Sequence, residues 1–202
     1  MKKVDPASFE ERYRLADDPW AFATSRYELA KYATTIGALA EASYGRCFEP
    51  ACSIGVLTEK LAARCDTVVA CDGSALAIER ARTRLARSKA TSNVELHVES
   101  IPEWWPQGDF ELIVLSELGY YWDIAGWGDV IERCRCSLVD SGEIIAVHWL
   151  GHSVDHLLGG HEVHAELARR LGPADLHLVA GSGSTPADAG FVLDRWTQVT
   201  RG

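Results

Sequence analysis

The 202-residue chain is long enough to bury one hydrophobic core and leaves no room for a second large domain. Its 47% hydrophobic and 24% charged residues are typical of a globular protein and exclude a disordered, collagen-like or coiled-coil chain. A formal net charge of −9 repels phosphate backbones and anionic lipids, so nucleic-acid and membrane partners are disfavoured.

No targeting or membrane segment is predicted. No stretch approaches the roughly 20 apolar residues of a membrane span, and the start MKKVDPASFEERYR turns acidic before an apolar signal-peptide core could form. Six cysteines are too few for a disulfide scaffold, and we interpret them as reduced, buried small hydrophobes. We therefore expect a cytoplasmic protein. The cysteines are Cys47, Cys52, Cys65, Cys71, Cys134 and Cys136.

Apolar residues at helical spacing predict a first helix over Tyr27–Ala42, with Ser25 as its N-cap and Glu28 three residues later. Strand-like and helical runs then alternate along the chain. Strands are predicted at Arg46–Glu49, Thr67–Cys71, Val94–Val98, Glu111–Ser116 and Glu143–His148, and helices at Val56–Ala63, Ala75–Ser88 and Trp127–Ser137. This alternation indicates parallel strands joined by helical crossovers, which is a doubly wound α/β domain.

The end of the chain breaks this alternation. After a predicted helix at His161–Leu171, the strand-like runs Leu176–Ala180 and Phe191–Val199 are joined only by GSGSTPADAG. Because this linker is too short and glycine-rich for a crossover helix, the two strands should pair antiparallel at one sheet edge. We predict a single domain over residues 1–202, with a Rossmann-like, mostly parallel core from about residue 46.

In open parallel sheets, ligands bind at the carboxyl ends of the strands. The first strand ends in FEPACSIG, where Glu49 is followed by the small residues Ala51, Ser53 and Gly55 at alternate positions. Small residues let the backbone pass close to a ligand and let the next helix pack tightly on the strand. Asp72 ends the second strand, 17 residues after Gly55, where a carboxylate can accept hydrogen bonds from both ribose hydroxyls of a nucleoside.

The third and fourth strands add further candidates. Glu99 and Ser100 follow the third strand, where an adenine could meet a carboxylate and a backbone N–H. Ser116 and Glu117 end the fourth strand. No cysteine or histidine spacing fits a zinc site, so no metal is predicted. Residues beside these positions complete the predicted cofactor site: Cys52, Gly73 and Ile101.

The order and spacing of several passages resemble the class I S-adenosylmethionine (SAM) dependent methyltransferases, and within them the NodS-like group of small N-methyltransferases. The passages are DPWAFATSRYELAKY, FEPACSIGVLTEKLAARC, ACDGSALAIERAR, FELIVLSELGYY and IIAVHW. The chain departs from the family at Ala51 and Ser53, where the family loop usually carries glycine. Both residues are small, so we expect a narrowed but working loop.

The resemblance implies a SAM site and a lid. Glu49 and the loop from Ala51 to Gly55 would hold the amino-acid part of SAM, and Asp72 would hold the ribose, with the adenine between Glu99 and Ser100. Trp20 would lie on an N-terminal helical lid, residues 1–45, over the sulfonium, because an aromatic face attracts a cation. The alternative is that Trp20 only attaches the N-terminal helix to the sheet.

Methyl transfer from a sulfonium needs approach geometry, a dry pocket and, for an amine acceptor, a base that frees the nitrogen lone pair. The candidates at the ends of the fourth and fifth strands are Glu117, Tyr120, Tyr121 and His148. His148 has the alternative of a satisfied histidine at a strand end. The two tyrosines have the alternative of core or pocket wall.

Tryptophans and histidines near the expected crevice have alternative interpretations. Stacked aromatics suit a flat or sugar-like acceptor, whereas each tryptophan alone is more often a packing anchor. The spacing of His152 and His156 could indicate a metal, but without a third ligand we favour solvated positions for the late histidines. The residues concerned are Trp104, Trp105, Trp122, Trp127, His152, His156, His161 and His164.

The sequence therefore predicts a SAM-dependent methyltransferase acting on a small-molecule amine, with the resemblance pointing to an amino sugar. One alternative is a non-catalytic binding protein of the same fold, because of Ala51 and Ser53. The other is a nicotinamide-dependent oxidoreductase, which also places an acidic residue after the second strand. Against it stand the missing three-glycine loop and the missing Tyr-x-x-x-Lys pair. The oligomeric state is not determined by the sequence.

Overall fold

The structure is a computed structural model and describes residues 3–5, 7–88, 92–181 and 189–199. The chain divides into two compact units. The first is Asp5–Gly108, and the second contains the chain start through Val4 together with Asp109 onwards. Within the described ranges, no helix is long and apolar enough to cross a membrane.

The first unit contains three parallel strands and four helices. Strand β2 lies between the other two and pairs with both in parallel. Residues 47–50 of β1 and 68–71 of β2 are buried at consecutive positions, as expected for strands that are covered on both faces. In chain order the elements are α1 (Ala7–Leu15), α2 (Arg26–Gly37), β1 (Tyr44–Pro50), α3 (Val56–Leu61), β2 (Cys65–Asp72), α4 (Ala75–Ser88) and β3 (Val94–Val98).

The second unit contains four strands in the order β4-β5-β7-β6. Strands β4 and β5 are parallel, whereas β7 pairs antiparallel with both β5 and β6. The elements are β4 (Phe110–Ser116), a 3₁₀ turn (Gly119–Tyr121), α5 (Ile124–Cys136), β5 (Leu138–Trp149), α6 (Gly160–Leu171), β6 (Leu176–Ala180) and β7 (Phe191–Val199). The predicted α/β class, with antiparallel C-terminal strands, is confirmed. Most of the predicted linker between β6 and β7 lies outside the described residues.

The larger differences from the predicted elements concern α1, α2, α5 and β5. Helix α1 was not predicted, and α2 ends at Gly37 rather than Ala42. Helix α5 begins at Ile124 because the Asp123 side chain caps it, accepting the Gly126 N–H at 2.8 Å. The predicted turn at residues 140–142 is a bulge inside the longer strand β5, where Ser141 has a φ of 67°.

Three interpretations of side chains were wrong. His156 is half-buried and stacks on the Tyr120 ring, rather than being solvated. Cys136 is exposed, whereas the other five cysteines are buried, and all six thiols are free. Cys134 faces the core, and Cys136 lies two positions later, roughly 200° around the helix. His164 is buried rather than solvated, because β7 supplies Asp194 as its partner.

Candidate active site

The loop after β1 has an unusual backbone. Ala51, Ser53 and Gly55 have φ values of 58°, 52° and 76°, which lie in the left-handed region. A side chain at Gly55 would approach Ala81 Cβ at 3.0 Å, so only glycine lets α3 and α4 pack this closely. The Cys52 N–H bonds to the Cys71 carbonyl at 2.9 Å and ties the loop to β2.

Glu49, at the end of β1, carries a buried carboxyl group. Its side chain is 2% exposed, and Oε2 has no hydrogen-bond partner. Burial raises the pKa of Glu49 to about 8; the neighbouring Thr58 hydroxyl opposes this, and the Asp72 charge adds to it. A buried carboxyl oxygen without a partner is destabilising unless a ligand supplies a donor. Glu49 therefore has the chemistry of a site for a cationic group.

Asp72, at the end of β2, holds the loop from the other side. Its Oδ2 accepts the Ser53 N–H and its Oδ1 accepts the Ser74 N–H, both at 2.9 Å. Burial raises the pKa of Asp72 to about 6, against the lowering effect of these two hydrogen bonds, while the Glu10 charge adds to the rise. The structure thus brings the loop and Asp72 together, as the sequence predicted.

Helix α1 contacts both halves of this cluster. The Tyr13 hydroxyl lies 2.5 Å from Ser53 Oγ, and Ser74 Oγ donates to Glu10 Oε2 at 2.5 Å. Arg80 of α4 donates to the Tyr13 carbonyl at 2.7 Å and so fixes the end of the helix. We refer to Glu49, residues 51–55, residues 72–74, Glu10 and Tyr13 as the cofactor cluster.

Trp20 packs in an aromatic group beside α1. Its ring stacks on Phe22 with centroids 5.6 Å apart and meets Tyr13 edge-on at 5.5 Å. The Arg12 guanidinium lies 5.7 Å from the Trp20 ring. These contacts attach the N-terminal segment to α1, which fits the packing interpretation, and the lid role of Trp20 stays a prediction.

The residues after β3 are less enclosed. Glu99 is exposed and its N–H bonds to the Asp72 carbonyl at 3.0 Å, while Ser100 is half-buried and Ile101 is buried. Two of the tryptophans pack here. Trp104 lies 4.9 Å from the His97 ring, and Trp105 meets Phe48 edge-on at 5.2 Å.

In the second unit, Glu117 follows β4 with a φ of 57°, another left-handed position without glycine. Its carboxylate accepts a hydrogen bond from the Tyr120 hydroxyl and another from the Trp149 N–H at 3.1 Å. Strained backbone of this kind clusters at functional sites. Ser116 lies at the end of β4 and is half-buried.

Aromatic rings pack around Tyr120 and His156, next to this carboxylate. His156 stacks on Tyr120 with centroids 3.9 Å apart, and Tyr121 and Trp149 meet His156 edge-on at 5.4 and 6.1 Å. The Leu157 N–H bonds to the Tyr120 carbonyl at 2.7 Å and holds the segment after β5 over the ring. We call Glu117, Tyr120, Tyr121, Trp149 and His156 the Glu117 cluster.

His148 lies behind the Glu117 cluster. It has no exposed surface, its Nε2 accepts the Gly119 N–H at 3.0 Å, and its Nδ1 lies 3.0 Å from His164 Nε2. Both ring nitrogens are therefore engaged within the protein. This geometry favours the satisfied-histidine interpretation, and a direct proton transfer to His148 stays an unsupported prediction.

The remaining tryptophans are packing residues. Trp127 is fully buried, and its indole N–H donates to the Val163 carbonyl at 3.1 Å. Trp122 is 6% exposed and stacks near Trp127 with centroids 6.2 Å apart. Among the described residues, no group of three or more histidine, cysteine, aspartate and glutamate side chains could hold a metal ion.

Sequence comparison identifies the family of this chain. The sequence model of the family "Nodulation protein S (NodS)" matches residues 7–188, which is most of the chain. The chain belongs to the NodS family. A curated relative, Nodulation protein S of Sinorhizobium fredii, is 27% identical over 180 residues, covering 85% of this chain and 80% of the relative.

Solved structures agree with this membership. A candidate methyltransferase from Pseudomonas syringae is 36% identical, with a TM-score of 0.70 and coverage of 86% of this chain and 99% of that one. N-methyltransferase NodS from Bradyrhizobium japonicum WM9, in complex with S-adenosylhomocysteine (SAH), is 23% identical, with a TM-score of 0.82 over 96% and 99% of the two chains. The predicted NodS-like SAM-dependent methyltransferase with a Rossmann-like fold is confirmed.

The residues present fit SAM. The partnerless Oε2 of Glu49 suits the α-ammonium of the methionine part, and the second lone pairs of the Asp72 oxygens suit hydroxyl donors. Ala51 and Ser53 of this loop have left-handed backbone conformations, which glycine adopts at lower steric cost.

Three residues next to the candidate site were missed from the sequence. Glu10 and Tyr13 reach the cofactor cluster from α1, which was not predicted. Asp194 lies in β7 and reaches the back of the Glu117 cluster through His164. Asp194 could have been identified from the sequence, because a carboxylate within the apolar run FVLDRW of a strand needs a buried partner.

Proposed function

We propose that this NodS-family protein transfers the methyl group of SAM to the amine nitrogen of a small-molecule acceptor, and that the acceptor is an amino sugar. The observation that carries this proposal is the Glu117 carboxylate, which Tyr120 and the Trp149 backbone orient among aromatic rings. The Bradyrhizobium japonicum relative is an N-methyltransferase, which agrees with a nitrogen acceptor.

The cofactor cluster would hold SAM through groups of matching charge. Glu49 pairs with the α-ammonium, and Asp72 accepts hydrogen bonds from the ribose hydroxyls. The backbone N–H groups of residues 51–55 and 73 would lie along the cofactor, and Glu99, Ser100 and Ile101 would contact the adenine. When bound, SAM supplies an activated methyl group on a sulfonium.

Glu117 would act on the acceptor nitrogen. An amino-sugar amine is an ammonium at neutral pH and has no lone pair for attack. The Glu117 carboxylate accepts one N–H proton, and the freed lone pair attacks the methyl carbon while the carbon–sulfur bond breaks. The products are the methylated amine and SAH, and the proton resides on Glu117 until solvent removes it.

The aromatic rings of the Glu117 cluster support a sugar acceptor. Sugars expose C–H groups on one ring face, and these pack on aromatic faces, while their hydroxyls need polar neighbours. Four residues of the Glu117 cluster each offer an aromatic face together with a polar side-chain or backbone atom: Tyr120, Tyr121, Trp149 and His156. We further propose that the protein acts in the cytoplasm, a location that the six free thiols favour.

The first test measures binding and turnover with defined probes. SAM, SAH and NAD are titrated by calorimetry, and SAH formation from SAM is then followed with D-glucosamine and with N-acetylglucosamine. We expect SAM and SAH to bind, NAD not to bind, and only the free amine to give SAH. Turnover with N-acetylglucosamine alone would contradict the amine acceptor, and NAD binding without SAM binding would favour the oxidoreductase alternative.

The second test isolates Glu117. Glu117→Gln keeps the shape and the Trp149 contact but removes the base, so kcat should fall by roughly 100-fold or more. SAH affinity should stay within twofold of the wild type. Glu111→Gln, an exposed glutamate on the same strand β4, is the matched control and should retain full turnover. Wild-type turnover by Glu117→Gln would remove Glu117 as the base.

A second candidate function has one observation in its favour. Ala51 and Ser53 occupy strained positions in the loop, which is compatible with a protein that keeps the fold without catalysis. That protein would bind SAH but form none from SAM with any amine tested.

A further inference from the structure

A chain of four polar side chains runs from the surface to the loop that carries Glu117. The His177 Nδ1 lies 2.6 Å from Asp194 Oδ1, and Asp194 Oδ2 lies 2.7 Å from His164 Nδ1. His164 Nε2 lies 3.0 Å from His148 Nδ1, and His148 Nε2 accepts the Gly119 N–H. His177 is largely exposed, whereas the other three side chains are buried.

The donor at Gly119 shows which ring nitrogens of this chain carry protons. An amide can only donate, so His148 Nε2 must be an acceptor, and the proton of neutral His148 must be on Nδ1. His164 Nε2 then has to accept from His148, which places the His164 proton on Nδ1, facing Asp194. Only one pattern of protons satisfies every contact in the chain.

Asp194 is suited to accept the hydrogen bond from His164 Nδ1. Burial raises the pKa of Asp194, but the hydrogen bonds from His164 and His177 outweigh it and hold the pKa below its usual range. An ionised carboxylate accepts hydrogen bonds and donates none. Asp194 therefore selects the Nδ1–H form of His164, as carboxylates do for histidines in other sites.

The pattern matters because Gly119 lies between Glu117 and Tyr120. A side chain at Gly119 would overlap Val163 of α6 and approach Trp127 at 3.1 Å, so the loop is packed tightly against α6 at this point. His148 holds the Gly119 N–H, and the adjacent Glu117 and Tyr120 form the acceptor-facing hydrogen bond. A reversed His148 tautomer would place two donors against each other and displace the loop.

We propose that His164 and Asp194 are positioning residues: they fix the tautomer of His148 and thereby hold the loop that orients Glu117 and Tyr120. The kinetic part of this proposal rests on the proposed function, whereas the tautomer part does not. Neither residue contacts the substrate, and neither takes part in proton transfer, because the chain ends at a backbone amide that cannot give up its proton.

The tautomer is measured first, in the wild-type protein. Histidine-labelled protein is examined by ¹⁵N NMR at pH 7, with the His148 signals assigned from His148→Phe. We expect His148 in the Nδ1–H form only. A protonated His148, or the Nε2–H form, would overturn the proposal whatever the variants do.

Variants then test the consequence. His164→Phe keeps the ring shape but removes the acceptor for His148, whereas His164→Gln retains an acceptor. His161→Phe, at an exposed position of the same helix, is the matched control. Thermal unfolding and SAH titration show whether each variant folds and keeps its cofactor site.

We expect His164→Phe to lose the single His148 tautomer and to lower kcat/KM for D-glucosamine by roughly tenfold or more, with SAH affinity within twofold of the wild type. His164→Gln should recover part of both losses. If His148 keeps its tautomer in His164→Phe, or if kcat/KM is unchanged, the proposal is wrong. If the wild type itself does not use D-glucosamine, the proposed acceptor fails while the tautomer result still decides the positioning role.

Discussion

Protonation of Glu49 should be coupled to cofactor binding. Burial raises the pKa of Glu49 to about 8, so roughly nine in ten ligand-free molecules carry a protonated Glu49 at pH 7. An ammonium group within a few ångströms favours the carboxylate and lowers this pKa. Binding of SAH at pH 7 should therefore release about 0.9 protons per ligand bound.

The contribution of Asp72 to this release is small. Its pKa of about 6 leaves it mostly ionised at pH 7, so its ionisation adds only about 0.1 protons. Because binding releases protons, the affinity for SAH should increase as the pH rises from 6 towards 8. The increase should be up to about tenfold per pH unit over the range where Glu49 is protonated in the free protein. The rise should end above about pH 8, where Glu49 is already largely ionised in the ligand-free protein.

Calorimetric titration in buffers of different ionisation enthalpy measures the proton count directly. At pH 7 the observed binding enthalpies in phosphate and in Tris should differ by about 0.9 times the difference between the ionisation enthalpies of the two buffers. Glu49→Gln should show little buffer dependence, whereas Glu59→Gln, in the adjacent helix α3, should match the wild type. Equal enthalpies in both buffers for the wild type would refute the pairing of Glu49 with the ligand ammonium.

Two further predictions concern the cofactor cluster. Asp72→Asn should weaken SAH binding by roughly tenfold or more, because charge-assisted hydrogen bonds to the ribose are lost; unchanged affinity in the same titration would contradict the ribose assignment. Ala51→Gly should raise the free energy of unfolding by about 0.5–1 kcal/mol, because glycine adopts the left-handed region without steric strain. Its thermal midpoint should rise by about 2–3 °C, and a lower midpoint would show that the loop does not need this conformation.

The fold could be predicted because its signals are local. Periods of apolar residues mark α4, β3, β6 and β7 with the observed bounds. The errors occur where a nonlocal contact decides. Helix α1 has a weak apolar face and is held by Glu10 and Tyr13 on distant residues, and the bulge at Ser141 is defined by its neighbouring strands.

Part of the candidate site could likewise be predicted from local signals in the sequence. The rule that ligands bind at strand ends placed Glu49, Asp72 and Glu117 correctly at the carboxyl ends of β1, β2 and β4. It could not place His164 and Asp194, because their role depends on a tautomer chain that crosses from α6 to β7. Strand-end position therefore identifies candidate groups for ligand contact, and it does not identify the groups that orient them.

The residues with left-handed backbone in the loops after β1 and β4 differ in the contacts that their side chains make. Ser53 compensates for its left-handed backbone with a hydrogen bond to Tyr13, and Glu117 does so with contacts from Tyr120 and Trp149. Ala51 is exposed, and nothing in the structure explains why it replaces glycine. At Ser53 and Glu117 the backbone conformation serves a specific side chain, so glycine there should relieve strain and lose function. At Ala51 the same change should relieve strain alone, which makes Ala51 the position where stability can increase without the loss of a side-chain contact.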